Sequence, residues 1–459
     1  MNETYPIWHP FTQMKTAGMP LRVVRGEGAL LHLDDGRKII DCISSWWVTL
    51  HGHGNKQIAD AIHEQAQQLE QVIFAGFTHE PAEQLAKGLL ELLPRSLTRV
   101  FFSDNGSTSV EVALKMAFQY WRNVGEPQRT RFIGFEGGYH GDTMGAMSAG
   151  GSSSFWQHFR KLMFDIDVVP FPETWDGDPD VEAKEAASIN ALRKLLTLDG
   201  SGGLQPAANG TGGLQPAFAG IIIEPLIQGA AGMRMCRPEF LRKLRAVADE
   251  FSVLLIFDEV MTGFGRTGDW FASTKADVSP DIICLSKGIT GGFLPLSVTV
   301  CAERIYDAFL SDKLEHALFH SHSYTANPIA CAAANASMKL LIETQSRFRD
   351  MEATHRRLTQ KHLSDSPLLT HFRFCGTIAA FDLAEGQANY YSELPAKLRS
   401  KFIEQNLLLR PLGNTIYLLP PYCIDADTLD SVYATIRRTV DEGVSSTKIG
   451  TGGRQSALS

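Results

Sequence analysis

The chain has 459 residues, 44% hydrophobic and 20% charged, with a net charge of −8 and a sequence pI near 6.0. This balance excludes a disordered chain, and without a basic surplus neither nucleic acid nor an anionic membrane is the expected partner. The length allows two or three domains around a sizeable core. Seven scattered cysteines, none in a CxxC pattern, argue against a disulfide framework or a zinc site and suit a reducing, cytoplasmic setting. The opening MNETYPIWHPFTQM lacks a cationic start and an apolar run, so no signal peptide is expected. No stretch reaches the ~18 apolar residues of a membrane span.

Residues 1–55 read as irregular and rich in His, Gly and Trp. Residues 81–93 carry an early proline, Glu83 and apolar Leu85, Leu89, Leu92 and Leu93, which predicts an amphipathic helix. A short strand at 100–102 precedes a helix marked by Val110, Ala113, Leu114, Ala117, Phe118 and Trp121. Residues 131–135, 221–223 and 253–257 read as strands, with a helix at 239–251. Short apolar strands alternating with amphipathic helices imply an α/β architecture with a mainly parallel sheet covered on both faces. Beyond about residue 330, helices at 329–342 and 428–440 mix with longer strands at 372–381 and 415–419. The expected organisation is an N-terminal segment, 1–55, joining a small α+β domain at 331–444, with a large domain at 56–330 between them. GGLQPA, repeated at 202–207 and 212–217, reads as a local duplication in a surface loop, and 445–459 as a disordered polar tail.

Five places can carry chemistry. Ser103-Asp104-Asn105-Gly106-Ser107-Thr108 lies between a strand and a helix, and Thr108-x-x-Glu111 fits a capping box. It is either an anion site at a helix N-terminus or an ordinary capped turn. Asp258-Glu259 ends an apolar strand, at the edge where open α/β sheets bind ligands. Lys287 follows the apolar 282–285 among small residues; it is either a surface lysine or a Schiff-base lysine made nucleophilic by burial. Pyridoxal phosphate chemistry requires such a pair, an Asp for the pyridine nitrogen and a Lys for the aldehyde. Tyr139, in GYHGDT, could stack on a flat cofactor or be structural. Trp46-Trp47 could be core or could suit a long aliphatic substrate.

Other patterns are weaker. Gly263 to Gly268 spells GxGxxG, but the acid precedes the glycines and 269–271 starts no helix, so a dinucleotide site is not expected. The pairs His51/His53 and His320/His322 lack an accompanying carboxylate cluster, so no metal is expected.

DEVMTGFGRTG, LSKGITGG, GYHGDT and SDNGS together resemble the class III pyridoxal-phosphate aminotransferases of fold type I. WHPFTQMK, SSWWVTLHGH and RPLGNTIYLLPPY narrow the resemblance to the branch that aminates 8-amino-7-oxononanoate to 7,8-diaminononanoate in biotin synthesis. The resemblance implies pyridoxal 5'-phosphate as cofactor, with Lys287 holding it and moving the proton, and Asp258 pairing with the pyridinium. It implies Gly106 and Ser107 at the phosphate, helped by His322 and Ser323 from the partner of a homodimer, and Tyr139 stacked on the ring. Phe11, Trp46, Trp47 and Ser321 would line the substrate site, and Arg410 would hold the keto acid's carboxylate. Phe11 stands where familiar members carry Tyr, Ser321 where they carry Gly, Ser323 where they carry Thr, and Met261 where many carry Gln. Phe11 bears on the amino donor, since Phe also occurs in relatives that use lysine instead of S-adenosylmethionine. The expected reaction is ping-pong transamination with S-adenosylmethionine as donor. The rivals are another class III ω-amino acid or diamine transaminase or an aminomutase, an NAD enzyme resting on GFGRTG, and a noncatalytic cofactor-binding protein.

Overall fold

Runs such as FAGIII in Phe218–Ile223 and LLIFD in Leu254–Asp258 are buried at every position, as strands covered on both faces must be. The computed structural model describes residues 5–151, 154–198, 218–384 and 393–448. Its seven-stranded sheet runs in the order Leu97–Ser103, Ser297–Ala302, Ile282–Leu285, Leu254–Asp258, Phe218–Ile223, Arg131–Phe135, Asp167–Val169. Only Ser297–Ala302 runs antiparallel to its neighbours. Period-two alternation divides the core between the faces: Leu255 and Phe257 join one apolar cluster, Leu254 and Ile256 the other. The helix Gly106–Asn123 covers the second face through Val110, Ala113 and Trp121.

The helices expected at 81–93, 239–251 and 329–342 are Glu80–Leu92, Pro238–Glu250 and Pro328–Glu343. Three expectations need correction. The segment 1–55 is not irregular throughout: within it Val23–Glu27, Leu30–Leu33 and Lys38–Asp41 form antiparallel strands, and Leu407–Leu408 adds a parallel fourth. No position of Val23–Glu27 is buried, and one of the two buried positions of Lys38–Asp41 is an acid, so no apolar alternation marks these strands. The strand expected at 372–381 is a hairpin of Leu369–Cys375 and Ile378–Leu383. It turns at Gly376, whose φ of 59° suits glycine and whose Cβ, if present, would lie 2.0 Å from the Gly268 nitrogen. The last helix, Ala426–Lys448, runs through the start of the expected tail. The rest of that tail and the GGLQPA duplication, 202–217, lie outside the described residues.

Candidate active site

Two neighbouring strand ends set the centre of the site. Asp258 closes its strand in register with Cys284, so Lys287, three residues further on, emerges at the same carboxyl edge. Lys287 has a φ of 40°, a left-handed value that strains a side-chain-bearing residue. Burial holds its amine below the ordinary lysine range, although Asp258 and Glu224 pull the other way. Such an amine is more often neutral, and therefore nucleophilic, near neutral pH.

Both oxygens of Asp258 are anchored. Oδ1 accepts from the Val260 amide at 3.0 Å, and Oδ2 lies 2.7 Å from His140 Nδ1. Burial opposes charge on His140, but Asp258 outweighs it and raises the imidazole above its usual value. Glu224 follows the buried strand Phe218–Ile223, and burial pushes it up to about 7. Its oxygens accept from the amides of Tyr139 and Gly229. The sequence reading missed His140 and Glu224, although both had signals. His140 follows Tyr139 within GYHGDT, and Glu224, like Asp258, is a carboxylate after an apolar run.

The helix Gly106–Asn123 opens on this edge. Its capping box is Asn105 with Thr108, not Thr108 with Glu111: the Thr108 amide donates to Asn105 Oδ1, and the Asn105 amide to Thr108 Oγ1. The amides of Gly106 and Ser107 precede the intrahelical ladder and can receive an anion. Glu111 reaches across to accept from Thr143 Oγ1 and the amides of Gly145 and Ala146, capping Met144–Gly150. That cap ties the Tyr139 loop to the cradle. Gly141 crosses so close that an added Cβ would lie 2.0 Å from Ser107 Oγ, and its φ is 123°.

Gly106, Ser107, Tyr139, His140, Glu224, Asp258 and Lys287 line one cavity of about 400 Å³. Burial pushes the Tyr139 phenol upward, and its ring stacks on Trp156 at 5.8 Å. Met261 also lines this cavity. A second cavity, about 320 Å³, shares Trp47, Tyr139 and Lys287 and adds Phe11, Trp46 and Arg410. Trp47 is buried, donates from Nε1 to the Tyr417 hydroxyl at 3.0 Å, and lies 5.3 Å from Lys287 Nζ. Trp46 is 42% exposed, with Phe11 edge-on at 5.8 Å and the Arg410 guanidinium 4.6 Å over its ring.

Ser321, His322 and Ser323 line neither cavity. They form a turn in which Thr325 Oγ1 pairs with Ser321 Oγ and accepts from the His322 amide. The Ser323 carbonyl accepts from Gln71. No helix opens at the glycines of GFGRTG or at 269–271; a short one, Ala272–Ala276, begins after them. Glu259 caps it by accepting from the amides of Ala272 and Ser273, and burial pushes this carboxyl up to about 7. Of the histidine pairs, His51 bonds Ser337, His53 bonds Asp41 and His320 lies beside Lys115. Among the described residues no group of three or more His, Cys, Asp or Glu is placed to hold a metal.

The donor set fits pyridoxal phosphate: a buried amine of lowered pKa, a carboxylate with both oxygens anchored, and open amides on an 18-residue helix. No described helix is long and apolar enough to cross a membrane.

Comparison with known proteins agrees. The model of the class-III aminotransferase family matches residues 12–440. An adenosylmethionine-8-amino-7-oxononanoate aminotransferase of Synechococcus elongatus is 53% identical, over 95% of this chain and 98% of its own. One from Geobacter sulfurreducens is 37% identical, over 95% of each. The crystal structure of the enzyme so named from Methanocaldococcus jannaschii superposes with a TM-score of 0.85 at 32% identity, covering 95% of this chain and 97% of that one. An amine transaminase from an uncultivated Pseudomonas species, solved with pyridoxal phosphate bound, gives 0.86 at 30% identity, covering 96% and 99%. The chain belongs to the class-III aminotransferases, pyridoxal-phosphate enzymes of mixed α/β fold.

Proposed function

We propose that the chain aminates 8-amino-7-oxononanoate to 7,8-diaminononanoate for biotin synthesis, with S-adenosylmethionine as amino donor. One observation carries this reading: the cavity of Lys287 and Asp258 shares walls with a second one holding two indoles and Arg410. A long keto acid needs both, a carboxylate grip and an apolar wall for its methylenes. The names of the relatives support the same substrate.

Pyridoxal phosphate, when bound, supplies an electron sink that lets nitrogen leave one carbon and be held for another. The amides of Gly106 and Ser107 would hold its phosphate, and Tyr139 would stack on its ring. Asp258, oriented by His140 and Val260, would pair with its ring nitrogen and keep that nitrogen protonated. Lys287 Nζ is the nucleophile and then the base that moves a proton. Trp46 and Trp47 exclude water, and Arg410 orients the acceptor.

In this reading the active unit is a cytosolic homodimer, with Ser321, His322 and Ser323 serving the partner's phosphate site. The strongly exposed Phe319 and Tyr324 beside that turn support a covered face.

The test adds S-adenosylmethionine or lysine alone to holoenzyme and times conversion of the visible cofactor band to the pyridoxamine form. The keto acid is then supplied and the diamine quantified by mass spectrometry. S-adenosylmethionine is expected to convert faster at equal concentration. Faster conversion by lysine reassigns the donor. No diamine with either donor leaves another class-III transamination, of an ω-amino acid or diamine.

A further inference from the structure

The two indoles are presented by an unusual piece of backbone. In Ser44–Trp47, three residues have left-handed φ: 51° at Ser44, 60° at Ser45 and 69° at Trp47. Ser45 combines its φ with a ψ of −86°, close to the strained hand of the γ-turn, which side-chain-bearing residues rarely adopt. Such geometry persists only where the surroundings over-determine it.

Asp41 supplies that constraint. It ends the strand Lys38–Asp41, pairs with Leu408 across the N-terminal sheet, and is fully buried. Its Oδ1 accepts from the amides of Ile43, at 3.2 Å, and Ser45, at 2.9 Å. Its Oδ2 accepts from Ser45 Oγ at 3.0 Å and lies 2.9 Å from His53 Nε2. Both oxygens thus converge on the most strained residue of the turn. The other ties reach its flanks: Ser44 Oγ donates to the Leu419 carbonyl, the Trp47 indole to Tyr417, and Arg266 to the Trp47 carbonyl. None of them touches Ser45.

We propose that Asp41 is a positioning residue for substrate specificity, holding Ser45 in its strained conformation so that Trp46 and Trp47 both stand in the substrate cavity. This rests on the reading of that cavity given under Proposed function. A relaxed turn swings Trp46 off Arg410 and opens the wall that the acceptor's methylenes meet. The cradle at Gly106 and Ser107 and the Lys287–Asp258 pair lie on other elements and stay as they are.

The test uses holoenzyme of wild type, Asp41→Asn, and Asp41→Asn combined with either Ser45→Gly or Ser45→Ala. Asn keeps the shape and loses the anionic acceptor. KM for 8-amino-7-oxononanoate is expected to rise about tenfold in Asp41→Asn, the scale of a hydrogen bond to a charged group, with little change in kcat. Pyridoxal-phosphate affinity and the visible band stay within about twofold of wild type on the same scale. Glycine adopts Ser45's φ without strain, so Ser45→Gly recovers most of the lost KM, whereas Ser45→Ala, equally without a hydroxyl, does not. If Asp41→Asn yields no folded protein, Ser45→Gly and Ser45→Ala in the otherwise native chain carry the test, and glycine should have the lower KM. An unchanged KM, a KM rise matched by equal loss of cofactor affinity, or no advantage of glycine over alanine overturns the proposal. Failure of the substrate reading looks different: wild type itself then produces no diamine, and the variants' KM ratios are taken with the acceptor it does use.

Discussion

His140 Nδ1 lies 2.7 Å from Asp258 Oδ2, with both side chains sealed almost completely from water. A buried carboxylate that loses a partner keeps its desolvation cost and forfeits the attraction that offset it. His140→Leu should therefore destabilise the apoenzyme by about 3 kcal/mol and weaken pyridoxal-phosphate binding at least about tenfold. Chemical denaturation and cofactor titration measure the two effects. Unchanged cofactor affinity would show that His140 does not orient the carboxylate.

Each buried acid contributes to the apoenzyme's pH profile with a definite sign. Glu224 rises from 4.5 to about 7 on folding because it is buried, so the folded chain keeps a proton that the unfolded chain releases. Stability then falls as pH climbs from about 4.5 to about 7. Glu259, buried and also pushed up to about 7, acts in the same direction. His140, held above 6.5, adds stability below that pH and loses it as pH rises through its folded value. His51 and His355, both lowered to about 4 by burial, act the opposite way between about pH 4 and 6.5. The test is therefore comparative: across urea midpoints at pH 5, 6 and 7, Glu224→Gln should show a less negative slope than the native chain. A slope indifferent to that substitution would place the linkage elsewhere.

Lys287→Ala should remove the visible band of lysine-bound cofactor and lower turnover by at least ~10²–10⁴-fold, the range of general acid–base catalysis. The strained φ remains with alanine, so thermal stability should change little. A variant with more than a tenth of native turnover would show that another group moves the proton.

Arg410 lies over the Trp46 indole, and a planar guanidinium grips a carboxylate with two parallel hydrogen bonds while stacked there. Arg410→Lys should raise KM for the keto acid about tenfold or more, leaving cofactor binding intact. Stopped-flow measurement of the second half-reaction provides the check, and native rates would remove Arg410 from the acceptor site.

Phe11 meets Trp46 edge-on and offers no hydroxyl to a donor. Phe11→Tyr restores one neutral hydrogen-bonding group, worth about 0.5–1.5 kcal/mol, or roughly two- to tenfold in donor affinity. Single-turnover comparison should show a gain for S-adenosylmethionine over lysine. A shift toward lysine would place the ring elsewhere in donor recognition.

The centre of this site was legible because its parts obey one local rule. Asp258 and Lys287 each follow an apolar strand run, and such runs end at the ligand-binding edge of an open sheet. The same rule would have found Glu224. Trp46 with Arg410 was reachable only through resemblance, because a stack between residues 364 positions apart leaves no periodic trace. Asp41 left none either: an acid four residues before Ser45 says nothing until the turn between them is seen. The N-terminal strands escaped for a different reason: Val23–Glu27 has no buried position and Lys38–Asp41 buries an acid, so the apolar alternation on which strand reading depends is missing.

Gly376 turns the hairpin directly over Gly268, main chain against main chain, with no side chain to yield between them. A mutational library should find both positions intolerant of even one methyl group, though neither lines the two cavities of the site. The spelling GxGxxG, which elsewhere marks a nucleotide pocket, here records a seam where two parts of the chain are pressed flush.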